Sequence, residues 1–293
     1  MVRRHFVDGQ FGQIHVRVAR PANPTHRPLA CLHMSPKSSR IYARFMEKMA
    51  EDRIVIAHDY PGFGESDAPP ATPHVSVEDY ATSLWDVVDA LDLGTVDIAG
   101  YHTGALVTAE AARQRPAQSG NLIMIGAPVI TPDEIAHFEA TYETIPLDPE
   151  GTRFLKMWKA VQAHAGTGMT LEMMSASFAE NLRGGENYEW GHRAAFAYAP
   201  RYPDIVSALP NRIAVINPET TCASRPCGSP TTFAMARSST TPNGATASSI
   251  PTPTVPSPNS AGCSAFPSCL ARAGDWRSGG RAPLHRSAGW RHG

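Results

Sequence analysis

The stretch Ala99-Gly100-Tyr101-His102-Thr103-Gly104-Ala105 sets one imidazole between two glycines, behind an apolar run and ahead of a helix-forming segment. Several readings are open to a histidine so placed. With an unperturbed pKa near ~6.5 it can take a proton from water at neutral pH. As a neutral imidazole it can attack a carbonyl, although an acyl-imidazole hydrolyses readily and needs a good leaving group. It can pair with His33 as half of a metal site, for which no third ligand is in view. The remaining reading is a site that keeps its shape without its chemistry.

Other candidates are weaker. Ser35 and Ser66 carry hydroxyls, but neither sits between two glycines on a strand-to-helix turn; hydrogen bonding at a turn or helix entry is their expected role. His192 lies among the aromatic residues Phe138, Tyr142, Trp158, Tyr188, Trp190 and Phe196. With Trp158, His33 and Tyr101 it is a candidate for lining a substrate pocket. Cys222, Cys227, Cys263 and Cys269 are too loosely spaced to read as a zinc or disulfide set, and Cys31 stands alone. No metal and no cofactor is expected.

The elements that must position these residues alternate over residues 1–219. GQIHVRVAR alternates apolar and polar residues, as an exposed antiparallel edge strand does. LACLHM, RIVIAHD, VDIAG, NLIMIGAP and RIAVINP are short runs suited to strands buried on both faces of a parallel sheet. Helices are expected over residues 38–52 (stripe Ile41, Phe45, Met46, Met49), over 77–93 (stripe Tyr80, Leu84, Val87, Val88, Leu91) and from Thr103 to before Pro116. Ser76 should cap the second, with Glu78 and Asp79 in its first turn. Repeated strand–helix–strand units predict an α/β fold with a doubly wound, mostly parallel sheet. Residues 131–208 break the alternation and read as a helical cap. The core is then expected over 1–130 and at the strand 209–219.

A net charge of −1 gives no general pull toward nucleic acid or an anionic membrane. No run approaches the ~18 apolar residues of a spanning helix, and no apolar stretch backs the two arginines of MVRRHFVDGQ. A small-molecule substrate or ligand and a cytoplasmic location are expected. Residues 220–293 differ in kind: they hold one acid, Asp275, and no lysine, and are rich in Ser, Thr and Pro. Their composition predicts a disordered tail.

Four stretches stand in order: LHMSP (32–36), DYPGFGESD (59–67), GYHTG (100–104) and INPE (216–219). Together they resemble the α/β-hydrolase family over about residues 5–219. The resemblance implies that His102 occupies the apex of the nucleophile elbow, where the family carries serine, with Gly100 and Gly104 flanking it. It implies an oxyanion hole from the Thr103 N–H and that of Met34 or Ser35. It places the catalytic acid after RIAVINP, where Glu219 is the carboxylate, and a histidine further on, where none occurs before His285.

The loss of a single base near the Glu219 codon would account for both the missing histidine and the change in composition. Restoring it permits INPEDDL after the strand. It also permits Glu-Trp-Gly-His-Gly-Phe-Leu-Asp across residues 243–250, with the histidine codon where Thr246 is now read. The function this supports is hydrolysis of an ester or related carbonyl bond in a small, partly apolar substrate, impaired in this chain. The alternatives are a ligand-binding pseudoenzyme and a damaged gene product.

Overall fold

Alternate residues of each central strand leave on opposite faces, and this alternation builds the core. The protein's structure, a computed structural model, describes residues 1–166 and 168–216. Glu219, the frame-loss reading and the tail 220–293 lie outside the described residues. The strands are Val2–Gly9 (β1), Gly12–Ala19 (β2), Leu29–Leu32 (β3), Val55–His58 (β4), Val96–Tyr101 (β5), Ser119–Ile125 (β6) and Ile213–Ile216 (β7). They form one sheet in the order β1-β2-β4-β3-β5-β6-β7. β1 and β2 pair antiparallel, as do β2 and β4, and the other pairings are parallel. The doubly wound, mostly parallel expectation is met.

Three details differ from the sequence reading. β2 is not the edge strand; β1 covers it along its whole length, from Val2 opposite Ala19 to Gly9 opposite Gly12. β1 carries Arg3, Arg4 and His5 and is largely exposed, so no buried face marks it in the sequence. The helix expected over 38–52 divides into a 3₁₀ turn, Ser39–Tyr42, and a short helix, Ala43–Met49 (α1). The division follows Tyr42 into the core, where its hydroxyl donates to the Leu32 carbonyl at 2.7 Å. The helix Val77–Ala90 (α2) ends short of Leu93. Its N-terminus is a capping box: Ser76 and Asp79 satisfy each other's backbone N–H groups, which is worth ~1 kcal/mol.

Thr103–Gln114 (α3) follows β5 directly. Between β6 and β7 come Pro132–Thr141 (α4), Thr152–Ala163 (α5), Leu171–Leu182 (α6), Trp190–Tyr198 (α7) and Tyr202–Ala208 (α8). Leu32, Ile56 and Ile98 point to the face covered by α2, α3, Tyr198 and Tyr202. Cys31, Val55, Ala57 and Tyr101 point to the other, against Tyr42 and Met46. Burying each of Leu32, Val55, Ile56 and Ile98 contributes ~1.5–3 kcal/mol, so both apolar faces of the sheet select this register. Among the described residues no helix is long and apolar enough to cross a membrane.

Candidate functional site

In a parallel sheet the loops after the strands share one edge, and open α/β sheets bind ligands there. His33 follows β3, Asp59 follows β4, His102 follows β5 and Gly126 follows β6.

The loop after β4 is a structural clamp. The Asp59 carboxylate accepts His15 Nδ1–H at 2.8 Å, the Ser39 N–H at 2.7 Å and the Glu65 N–H at 2.9 Å. Burial alone would raise its pKa, but these donors and nearby His33 hold it well below the carboxylate range. Ser66 Oγ donates to the Asp59 carbonyl and accepts the His15 N–H. Asp67 accepts the Gln13 N–H at 2.8 Å. Asp59, Ser66 and Asp67 of DYPGFGESD therefore tie this loop to β2.

His102 sits at the junction of β5 and α3 with φ 49° and ψ −112°. A non-glycine residue at positive φ is uncommon, and such strain costs ~1–3 kcal/mol. Two backbone bonds hold it: the His102 N–H donates to the Ile125 carbonyl at 2.9 Å, and its carbonyl accepts the Ala105 N–H at 2.8 Å. Close approach explains the glycines. A Cβ on Gly104 would strike the Leu32 carbonyl, and one on Gly100 the Gly104 carbonyl. Burial, and then the neighbouring His192, lower the His102 pKa to about 4. The ring is thus neutral at pH 7 and a weak base.

Thr103 is the first residue of α3, so its N–H has no acceptor within the helix. The Ser35 N–H is directed at Thr103 Oγ1, 3.4 Å away. Of the two loop residues named beside Thr103, Ser35 therefore has its N–H engaged.

Two of the pocket residues named from sequence are core residues instead. His33 is fully buried; Nδ1–H donates to the Met34 carbonyl at 3.0 Å and Nε2 accepts the Tyr60 N–H at 3.1 Å. Both nitrogens are spent, which also removes it as a metal partner of His102. Burial lowers its pKa to about 4. Tyr101 is buried with Cys31, Tyr42 and Ile125, although its ring centroid lies 4.7 Å from that of His102. Trp158 meets Phe178 edge-on at 5.7 Å, joining α5 to α6. Among the described residues no group of three or more His, Cys, Asp or Glu could hold a metal ion.

His192, by contrast, is brought to the site. The chain at Gly191 packs against the Ser35 side chain so closely that a Cβ there would lie 2.7 Å from Ser35 Cβ. Glu189 was not singled out in the sequence. Its Oε2 lies 2.5 Å from His192 Nδ1. The signal was the i,i+3 spacing, which puts both side chains on one face. Tyr142, 4.5 Å from the His192 ring, and Phe138 and Phe196 add an apolar wall.

Comparison with known proteins adds the following. A family model described as alpha/beta hydrolase fold matches residues 27–183. An uncharacterized protein of Mycobacterium tuberculosis is 33% identical over 110 residues, covering 38% of this chain and 31% of its own. A proline iminopeptidase of Heyndrickxia coagulans is 28% identical over 129 residues, 43% of each chain. A 2-hydroxy-6-oxo-2,4-heptadienoate hydrolase of Pseudomonas putida is 30% identical over 103 residues, 34% of this chain and 37% of its own. This chain thus spans less than half the length of these relatives. Among solved structures, the N-acyl homoserine lactonase AidH complexed with N-butanoyl homoserine superposes with TM-score 0.58 at 20% identity, over 73% of this chain and 77% of that one. A thermophilic esterase from Thermogutta terrifontis gives 0.56 at 20% identity, over 73% and 79%.

Proposed function

The chain belongs to the α/β hydrolase fold family, and from that premise we propose that it hydrolyses an ester or related carbonyl bond in a small, partly apolar substrate, slowly. The observation that carries the reading is the strained turn at His102 (φ 49°), which presents an imidazole beside the first N–H of α3. Because burial keeps the ring neutral, its role is that of a neutral imidazole donating N–H to the reacting carbonyl. A neutral histidine can polarise a carbonyl in this way. The Thr103 N–H, joined by that of Met34, faces the charge that develops on oxygen. The aromatic residues of α4 and α7 suit an apolar acyl or alkyl group, and the helices between β6 and β7 act as the cap. The location proposed is cytoplasmic.

The rate is low because a serine nucleophile is absent and the acid and terminal histidine belong to the lost frame. The weak basicity of His102 favours one second reading, a pocket that binds such ligands without turning them over.

The test pairs this chain with a version whose frame is restored after Glu219, both assayed on short p-nitrophenyl esters and lactones. Slow turnover in this chain, lost in folded His102→Ala, is the expected result, with faster turnover in the restored protein. No turnover in either folded protein, or turnover indifferent to His102→Ala, would overturn it. Ligand binding without turnover would establish the second reading.

A further inference from the structure

A neutral, weakly basic imidazole at position 102 can polarise a carbonyl but cannot easily deprotonate water. The helical segment after β6 carries a second imidazole, His192, within electrostatic reach of His102 and already oriented. Glu189 Oε2 stands 2.5 Å from His192 Nδ1. A carboxylate in that place takes a proton on Nδ1 and leaves Nε2 with its lone pair, the arrangement of a general base and its orienting acid. Glu189 is itself buried, so the pair is not a loose surface contact.

Packing fixes where this pair stands. Gly191 lies against Ser35, and the Ser35 N–H is directed at Thr103 Oγ1. Trp190 packs on Gly62 in the loop after β4. The start of α7 is thereby pinned over the ends of β3, β4 and β5. Three groups with titratable side chains meet His192: Glu189, the Tyr142 ring and, within electrostatic reach, His102.

We propose that His192, oriented by Glu189, is the general base of this site and activates the water that attacks the carbonyl polarised by His102. The inference rests on the hydrolytic reading above. As the water oxygen bonds to the carbonyl carbon, its proton passes to His192 Nε2 and the carbonyl π electrons move onto oxygen, facing the Thr103 N–H. When the carbonyl reforms, the carbon–oxygen bond to the alcohol breaks and the departing alkoxide takes the proton from Nε2. One water is consumed, an acid and an alcohol are released, and nothing is oxidised or reduced. His192 is the catalytic residue of the pair and Glu189 its positioning residue.

The experiment uses the full chain and p-nitrophenyl butyrate. His192→Ala should lower kcat by ~100-fold or more with KM little changed, in line with the loss of a general base. Added imidazole should restore part of the rate in His192→Ala and none in His102→Ala. Glu189→Gln should lower kcat less and move the acidic limb of the kcat/KM profile, while circular dichroism and Tm confirm folding in each variant. Turnover that requires His102 but survives His192→Ala, or a His192→Ala rate indifferent to imidazole, overturns the dyad alone. Turnover indifferent to His102→Ala overturns the hydrolytic reading of His102, and absence of turnover in the folded parent overturns both.

Discussion

A Cβ on Gly104 would stand 2.8 Å from the carbonyl carbon of Leu32 and 3.1 Å from the carbonyl oxygen of His33. The first turn of α3 therefore lies directly on the end of β3, and backbone rather than a flexible side chain is what a methyl would meet. Gly104→Ala must push α3 away from the sheet. The expected cost is at the upper end of the ~1–3 kcal/mol for overpacking, or beyond it. Urea denaturation checks this, and a midpoint equal to the parent's would contradict the close approach.

Stability should fall on mild acidification. Burial lowers the pKa of His33 and His102 to about 4 and that of His58 to about 3, against ~6.5 in an unfolded chain. Below ~6.5 the unfolded chain binds protons that the fold refuses, so stability rises with pH through this window. The contribution is fully present above ~6.5 and is lost as pH falls toward 4, at roughly 3 kcal/mol for each histidine taken alone. Asp59, held below its ordinary range, adds a further loss only under more acidic conditions. Urea midpoints from pH 7 to 4 should decline steadily; a flat profile would show that these rings are solvated.

Much of the fold was legible because burial on two faces writes itself into a strand. Runs such as the one ending at Leu32, or the one around Ile56, carry apolar residues at every position, and each became a central strand. β1 escaped notice for the opposite reason: Arg3, Arg4 and His5 leave it no apolar face to show. At the site, local features were readable and distant pairings were not. The turn at Gly100, His102 and Gly104 was readable through the resemblance of GYHTG to the family's elbow. That His33 spends both nitrogens on Met34 and Tyr60 depends on the neighbouring strand's loop. That Gly191 rests on Ser35 depends on a helix far along the chain.

Lys37 should behave as a latch between the loop after β3 and α6. Its Nζ donates to the Ser177 carbonyl at 2.8 Å, to Ser177 Oγ at 2.7 Å and to Asn181 Oδ1. Beside it, Ser38 Oγ donates to Glu180 Oε2 at 2.5 Å. Burial pulls the Lys37 pKa down to about 8, with Glu180 opposing. Lys37→Met keeps the stem and removes the donors, at ~1.5–3 kcal/mol for hydrogen bonds to a charged group. Hydrogen exchange should quicken across α6 while α3 and β5 stay protected. Uniform quickening of all three would mean that the contact supports the whole fold rather than this helix.

The helix bearing His192 is anchored to the helix that begins beyond His102 through one buried carboxylate. Glu110 on α3 accepts Arg113 at 2.8 and 2.7 Å, Gln114 at 3.1 Å and the Tyr198 hydroxyl of α7 at 2.9 Å. Burial would raise the Glu110 pKa, but Arg113 and Tyr198 hold it below its ordinary value. Tyr198→Phe preserves the ring packed in the core and deletes only the donor. A loss of ~1.5–3 kcal/mol is expected, because the bond is made to a charged acceptor. The register between His192 and His102 should loosen as well. The expected signature is a lower urea midpoint with a modest fall in kcat and KM unchanged, read from denaturation and steady-state assays on the same preparation. Full stability in Tyr198→Phe would show that Arg113 and Gln114 satisfy the carboxylate without α7, and that α7 is held by its apolar contacts alone.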